Sequence, residues 1–215
     1  MRSEVFGPVG NDRYATYLSD IHDSAQLLLR LINDVLDLSK AEAGRLELQE
    51  ECIDVAGLCR AVSHMVRHRV RSQDLKVAVE VPPDLPELYA DRTRLQQILA
   101  NLLTNAIKAT PAGGLITIRA RAGPAGSLTI EVEDNGVGMT EEEVALALQP
   151  FVQIQRRGRV AVEGTGLGLP LCDELIERHS GRLDLRSTPG KGTMAAVTFP
   201  PSRTVVARTD APAPV

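Results

Sequence analysis

The apolar residues Tyr14, Leu18, Ile21, Ala25, Leu28, Ile32 and Val35 follow one another at spacings of 4, 3, 4, 3, 4 and 3. That is an a/d heptad seam, and it predicts one long helix. Asn11 or Asp12 can cap its start, after a Gly- and Pro-containing stretch over residues 1–10 that reads as a loop. Gly44 is the expected stop. A lone helix cannot bury so regular a strip, so it needs partner helices. Packing on its own domain is one solution; a bundle or dimer suits a strict heptad better.

Beyond Gly44 the periodicity changes. Residues 46–49 alternate like a short strand, and residues 54–70 read as an amphipathic helix. Residues 75–81 alternate again and stop at Pro82-Pro83. A second helix with a strong apolar face covers residues 92–109. Residues 115–120 and 128–133 form a hairpin through Gly123-Pro124-Ala125-Gly126. Thr140 opens a short helix, with Glu143 at capping-box spacing. A basic, Gly-containing loop over 155–164 precedes a third major helix at 167–179 and two last strands at 182–187 and 193–199. From Pro200 the chain turns Pro- and Ala-rich, the composition of a disordered tail. Helices alternating with mostly antiparallel strands predict an α+β fold over residues 45–200, a two-layer α/β sandwich rather than a doubly wound sheet. A helical segment, 1–44, precedes it, and a tail, 201–215, follows.

Net charge is -4, which favours neither nucleic acid nor an anionic membrane as partner. No apolar run approaches the roughly 20 residues of a membrane helix, and the N-terminus shows no signal-peptide pattern. Cys52, Cys59 and Cys172 have no paired spacing and read as buried reduced thiols of a cytosolic protein.

Four segments carry candidate chemistry. In Asn101-Leu102-Leu103-Thr104-Asn105-Ala106-Ile107-Lys108, three polar residues, Asn101, Asn105 and Lys108, share one helix face. Amide oxygens suit a hard cation such as Mg²⁺ and Lys suits a phosphate, although a solvated polar face looks the same. Asp134-Asn135-Gly136-Val137-Gly138-Met139 closes a strand. Asp134 is an acceptor for an exocyclic amine such as that of adenine, and the glycines permit close backbone approach; a plain turn is the alternative. Glu163-Gly164-Thr165-Gly166-Leu167-Gly168-Leu169 enters a helix, where free N–H groups make an anion cradle. Its spacing is neither the dinucleotide fingerprint nor a P-loop. Gly190-Lys191-Gly192-Thr193 by itself is only a turn.

In this order the set resembles the N, G1, G2 and G3 boxes of the catalytic ATP-binding domain of sensor histidine kinases, with Pro150-Phe151 where that family has its F box. Residues 12–48 resemble the second helix of the family's dimerisation domain and its linker, through Ser19-Asp20-Ile21-His22, the stretch from Leu31 to Lys40, and Glu42-Ala43-Gly44. The nearest flavour is that of alphaproteobacterial cell-cycle and differentiation kinases. The resemblance implies ATP and Mg²⁺ as cofactors. It makes Asn105 the Mg²⁺ ligand and puts Asn101 and Lys108 on phosphates or metal. It gives Asp134 the adenine amine, with Gly136 and Gly138 shaping the pocket. Gly164, Thr165, Gly166, Leu167 and Gly168 would hold phosphates, Thr193 would line the site, and residues 152–163 would be the ATP lid, with Arg156 or Arg157 reaching the γ-phosphate. It further implies a homodimer through the N-terminal helix and a response regulator or histidine phosphotransfer protein as partner.

Related chaperone, mismatch-repair and topoisomerase ATPases have a Glu at the first N-box position that activates water. Asn101 stands there, and a neutral amide cannot take a proton, so transfer to an imidazole is favoured over hydrolysis. The family's acceptor motif, His-Glu/Asp-x-Arg/Lys-Thr-Pro, is absent from these residues. His22 is followed by Asp23-Ser24-Ala25-Gln26 and reads as an exposed helical residue. His64 and His68 read as a solvated pair, and His179 as a complement to a helix dipole. The stretch begins where the first dimerisation helix would end. A misassigned start, a fragment and a natural short protein all fit. The expected function is therefore γ-phosphoryl transfer to a histidine supplied elsewhere, with little autophosphorylation by this chain alone. The alternatives are a dimerising adaptor or pseudokinase that docks a response regulator, and an ATP-hydrolysing clamp.

Overall fold

The structure is a computed structural model that describes residues 12–154 and 165–205. Helix α1 (Asp12–Glu42) ends as expected at Gly44. There φ is +71°, the Gly44 amide donates to Ala41 O at 2.9 Å and the Arg45 amide to Lys40 O at 2.8 Å. This is the two-bond C-cap that a left-handed glycine permits. Two antiparallel sheet partners, β1 (Glu50–Ile53) and β3 (Glu87–Asp91), flank α2 (Val55–Met65), α3 (Arg67–Ser72) and β2 (Lys76–Glu80). Then come α4 (Arg92–Ala109), β4 (Leu115–Ala122), β5 (Leu128–Asp134), α5 (Glu141–Ala147), α6 (Gly168–Arg178), β6 (Arg182–Thr188), β7 (Gly192–Phe199) and β8 (Thr204–Val205).

The large sheet has the order β2-β4-β5-β7-β6 and the small one β1-β3-β8. All pairs are antiparallel except β2 with β4. Period-two alternation sorts the two faces of the large sheet. On β5, Leu128, Ile130 and Val132 are buried toward the helices. On its other face Glu131 pairs with Arg121 at 2.6 Å, Glu133 pairs with Arg119, and Thr129 meets Thr198 at 3.1 Å. The expected two-layer α/β sandwich is thus formed by α2, α4 and α6 on one face of the sheet. Helix α4 is central to it and buries Leu95, Ile98, Leu99, Leu102, Leu103, Ala106 and Ile107.

Several sequence expectations need correction. The first strand lies at Glu50–Ile53 rather than at 46–49, because Leu46 packs on the core while the ladder partner Asp91 lies opposite Glu50. The expected 54–70 helix breaks at Val66 (φ −88°, ψ −1°), which lets Val70 turn into the core. Strand β3, too short to show by periodicity after Pro86, buries Leu88 and Ala90. The start of the tail is ordered. Thr204 pairs with Leu88, its Oγ1 donates to Gly126 O at 2.7 Å, and Arg203 forms an ion pair with Glu50. Residues 206–215 lie outside the described residues. Cys52 is exposed, whereas Cys59 and Cys172 are buried, and burial pushes their thiols up to about 11 and about 12.

The described contacts of helix α1 with the rest of the chain gather near its C-terminal end. Leu38 packs against the core, Ala41 is fully buried, and Asp37 takes a bidentate contact from Arg94 at 2.6 and 3.1 Å. Arg178 also donates to Ala41 O. Further up, the seam residues Tyr14, Ile21, Leu28, Ile32 and Val35 are solvent-exposed.

His179 departs from its expected role at a helix end. It is fully buried against the edge of Phe199. Its Nε2 accepts from the Asp91 amide at 3.0 Å and its Nδ1 lies 2.7 Å from Leu175 O, so the ring is neutral with the proton on Nδ1. Desolvation lowers its pKa below the ordinary value. The unfolded chain therefore binds the proton more readily. This contribution to stability is complete above about pH 6.5 and is lost as pH falls through the lower folded value. Urea titrations at about pH 7.5 and about pH 5.5 should show a clear drop in midpoint for the parent. His179→Leu should cost about 1–3 kcal/mol at the higher pH, by leaving the Asp91 amide unsatisfied, and should flatten the pH dependence.

Candidate functional site

The site is built along one side of α4. Its N-cap, Asp91, accepts the Arg94 amide at 3.0 Å through Oδ1 and the Gln49 amide at 2.9 Å through Oδ2. With the apolar face of α4 turned to the sheet, the polar residues at 101, 105 and 108 fall on another side. Asn101 and Asn105 are half-buried and Lys108 is exposed.

At the C-terminal end of α4 the chain meets strand β5. Asp134 continues the inward-facing series of Leu128, Ile130 and Val132, so it is buried at the end of a core row, 6% exposed. Its Oδ1 accepts the Gly136 amide at 2.8 Å, and the Thr193 amide, opposite it in the β5–β7 register, also stabilises the carboxylate. Desolvation outweighs these donors and raises its pKa. A carboxylate in this state gains from any further donor.

The glycines beside it hold the chain's own backbone in close contact. A methyl on Gly136 would stand 2.5 Å from Ala109 O, at the end of α4. A methyl on Gly138 (φ +62°) would stand 1.9 Å from Thr188 O, and one on Gly192 (φ +100°) 1.9 Å from Asp134 O. The Val137 amide donates to Ala109 O at 3.2 Å and the Gly190 amide to Val137 O at 2.8 Å. Gly136 and Gly138 thus lock this stretch of chain to α4 and to the β6–β7 turn. Sequence reasoning missed Ser187. Its Oγ accepts from the Met139 amide at 2.7 Å, donates to Gly192 O at 3.0 Å and lies 2.8 Å from Thr193 Oγ1. Its partners are 5, 6 and 48 residues away, and no local pattern announces them. Asn135 was also passed over. Its Oδ1 accepts the Leu115 amide at 2.9 Å and fixes the start of the turn.

At the other end of the polar stripe, Gly168 opens α6. A methyl there would lie 3.8 Å from Asn101 Cγ, so the backbone of this helix start runs against the Asn101 amide. Thr165 Oγ1 accepts the Leu167 amide at 3.1 Å, and Leu167 is fully buried as an anchor. Gly166 (φ +70°) accepts the Phe151 amide at 3.0 Å; a methyl on it would strike Phe151 C at 2.7 Å. Pro150-Phe151 therefore serves as the counterpart of the 165–168 turn, and Phe151 itself takes a left-handed φ of +65°. Gly164, Arg156, Arg157 and the lid residues from 155 to 163 lie outside the described residues.

The middle and the C-terminal end of one helix thus carry two different environments. Asn101, with Gly168 beside it, and Ala109, with Gly136 against it, are about 12 Å apart along the axis, with Asn105 midway. A ligand that reaches both must be elongated. It must present a hydrogen-bond donor at the Asp134 end and suit the Asn101 amide and backbone N–H groups at the other. A purine nucleoside triphosphate meets both demands, and the two Asn amide oxygens suit a Mg²⁺ ion.

Comparison with known proteins agrees. The family of histidine kinase-, DNA gyrase B- and HSP90-like ATPases matches residues 90–203. The non-motile and phage-resistance protein of Caulobacter vibrioides is 43% identical over 203 residues, covering 93% of this chain and 24% of the relative. The cell-division control histidine kinase PdhS of Brucella canis is 37% identical, covering 94% of this chain and 20% of the relative. This chain therefore spans about a quarter or less of the length of these curated relatives. Among solved structures, full-length ShkA in complex with AMPPNP superposes with a TM-score of 0.77 at 30% identity, covering 89% of this chain and 39% of ShkA. An amide-bearing helix, a buried strand-end carboxylate and a glycine-led helix start follow one another along the chain, which belongs to the histidine kinase-, DNA gyrase B- and HSP90-like ATPase family as a domain of the histidine kinase type.

Proposed function

We propose that this chain is the ATP-binding catalytic core of a two-component sensor histidine kinase, one that transfers the ATP γ-phosphoryl group to a histidine outside these 215 residues. The observation that carries the proposal is Asp134, a desolvated carboxylate beside the last turn of α4, with Asn101, in mid-helix, and the Gly168 helix start about two turns away. Asp134 accepts the adenine amine, and Gly136 and Gly138 hold that wall in place. Asn105 is the Mg²⁺ ligand, and Asn101 and Lys108 face phosphates or the metal. The glycine-led segment at residues 164–168 takes the phosphate oxygens on backbone amides, with the Leu167 amide held by Thr165 Oγ1, and Thr193 buttresses Asp134. When bound, Mg²⁺ neutralises phosphate charge during transfer. Asn101 has no proton-accepting group, so it does not activate water, and the phosphoryl group awaits a better nucleophile.

The exposed Tyr14–Val35 seam fits a helical hairpin that dimerises and receives a response regulator or a histidine phosphotransfer protein. On this reading residues 1–44 are part of the dimerisation domain, and the ATP-binding domain extends to residue 205. No helix of the described residues is long and apolar enough to cross a membrane. We assign the chain to the cytoplasm, where ATP and response regulators reside.

Two experiments test this. With γ-labelled ATP, the chain alone should bind nucleotide yet acquire little acid-labile label. Adding a helical hairpin that carries a His-Glu-x-Arg-Thr-Pro motif should move label onto that hairpin. Steady phosphate release with no transfer would support a hydrolysing clamp instead. Asp134→Asn keeps an acceptor for the Gly136 amide but loses the charge. Its ATP affinity should fall about tenfold or more, consistent with the ~1.5–3 kcal/mol of a hydrogen bond to a charged group. Because desolvation raises the Asp134 pKa, burying the ionised form opposes folding above that pKa, and the cost fades as pH falls through it. The variant should therefore melt no lower than the parent at neutral pH and lose that advantage in acid. Unchanged ATP affinity in Asp134→Asn would favour a non-catalytic adaptor.

A further inference from the structure

Away from the nucleotide site, α2, α3 and β2 enclose a groove of about 390 Å³ that shares no residue with it. Its floor is apolar, formed by Val70, Leu75, Val77 and Val79. The break at Val66 sets α3 off from α2, and the facing wall carries His64, Arg67 and Arg71. These three are spaced i, i+3 and i+7, as on one side of a continuous helix. No carboxylate lines the groove. The Arg67 guanidinium lies 3.3 Å from the His64 ring, and among the described residues neither Arg67 nor Arg71 has an acidic partner. Arg60, at the rim, is already paired with Asp54 at 3.8 Å. In a chain of net charge -4, uncompensated cations over an apolar floor are complementary to an anionic, partly apolar ligand.

The backbone narrows the choice. Strand β2 is the outermost strand of the large sheet and pairs only with β4, so one row of its peptide groups is unused by the sheet. Val77 and Val79, two residues apart, both turn toward the groove. We propose that this edge docks an extended acidic segment of a partner protein, added to the sheet as a sixth strand beside β2. Only every second side chain of that strand faces the groove; among these, apolar ones lie over Val77 and Val79 and acidic ones meet Arg67 and Arg71. Main-chain pairing supplies affinity and the guanidiniums supply charge selection, as in other strand-addition complexes.

The test uses the 215-residue chain and a fluorescein-labelled Thr-Val-Thr-Glu-Thr-Val-Thr-Glu-Thr peptide, which sets Val and Glu on one face of a strand, read by fluorescence anisotropy. Saturable binding that weakens with salt is expected. The double variant Arg67→Glu/Arg71→Glu should bind this peptide about tenfold more weakly or worse, yet gain affinity for its counterpart with Lys in place of Glu and keep the parent's ATP affinity. That gain and the retained ATP binding show that the variant is folded. N-methylation of alternate peptide amides should also weaken binding about tenfold, because it removes strand pairing. The proposal falls if the parent fails to bind the peptide, if the double variant binds it as well as the parent, or if the N-methylated peptide binds equally. Complete displacement by millimolar inorganic phosphate would instead make the groove a small-anion site and also overturn it.

Discussion

The contact between the apolar face of α4 and the large sheet governs the rest of this molecule. Six large aliphatic residues of that helix are buried, each contributing about 1.5–3 kcal/mol relative to exposure. Their burial fixes the rotation of the helix, and the rotation decides where Asn101, Asn105 and Lys108 point. It also sets the height of the last turn, whose Ala109 carbonyl receives the Val137 amide and bounds Gly136. One hydrophobic interface therefore sets Asn101, Asn105 and the wall that carries Asp134 relative to one another.

Seen this way, the glycines are structural before they are functional. Gly136, Gly138 and Gly192 lie where backbone passes backbone, and their missing side chains are displaced by Ala109, Thr188 and Asp134 carbonyls. Gly166 does the same with Phe151. The ligand benefits indirectly, because a wall packed this closely holds Asp134 still and keeps water from it. Gly168 instead faces a polar side chain of the site, that of Asn101, as Gly136 also faces the Asp134 carboxylate.

What the sequence disclosed follows from the range of the forces involved. The capping box of Thr140 and Glu143 and the ends of α4 depend on residues within a turn of each other, and both stand as read. The Gly44 stop is equally local. The order of the site motifs was legible because glycine, amide and carboxylate residues must occur at fixed places to build such a wall. Strands β3 and β8 were not legible, since a five-residue and a two-residue strand exist only by pairing with distant segments. The break at Val66 has no Gly or Pro to announce it. His179 was misread for the same reason, because its decisive partner, the Asp91 amide, is 88 residues away.

The attachment of α1 has a mechanical consequence. From Asp37 back to Asp12 the helix runs about 38 Å, and the described contacts with the ATP-binding domain gather near Asp37, Leu38 and Ala41. Such a helix is a lever with its fulcrum beside the first turns of α4 and the end of α6. A tilt of about 10° at the fulcrum sweeps the distal end through about 7 Å over that length. Torque applied at the far end would be felt first by the Asp37–Arg94 pair, one turn from the N-cap of the helix that carries every amide of the site.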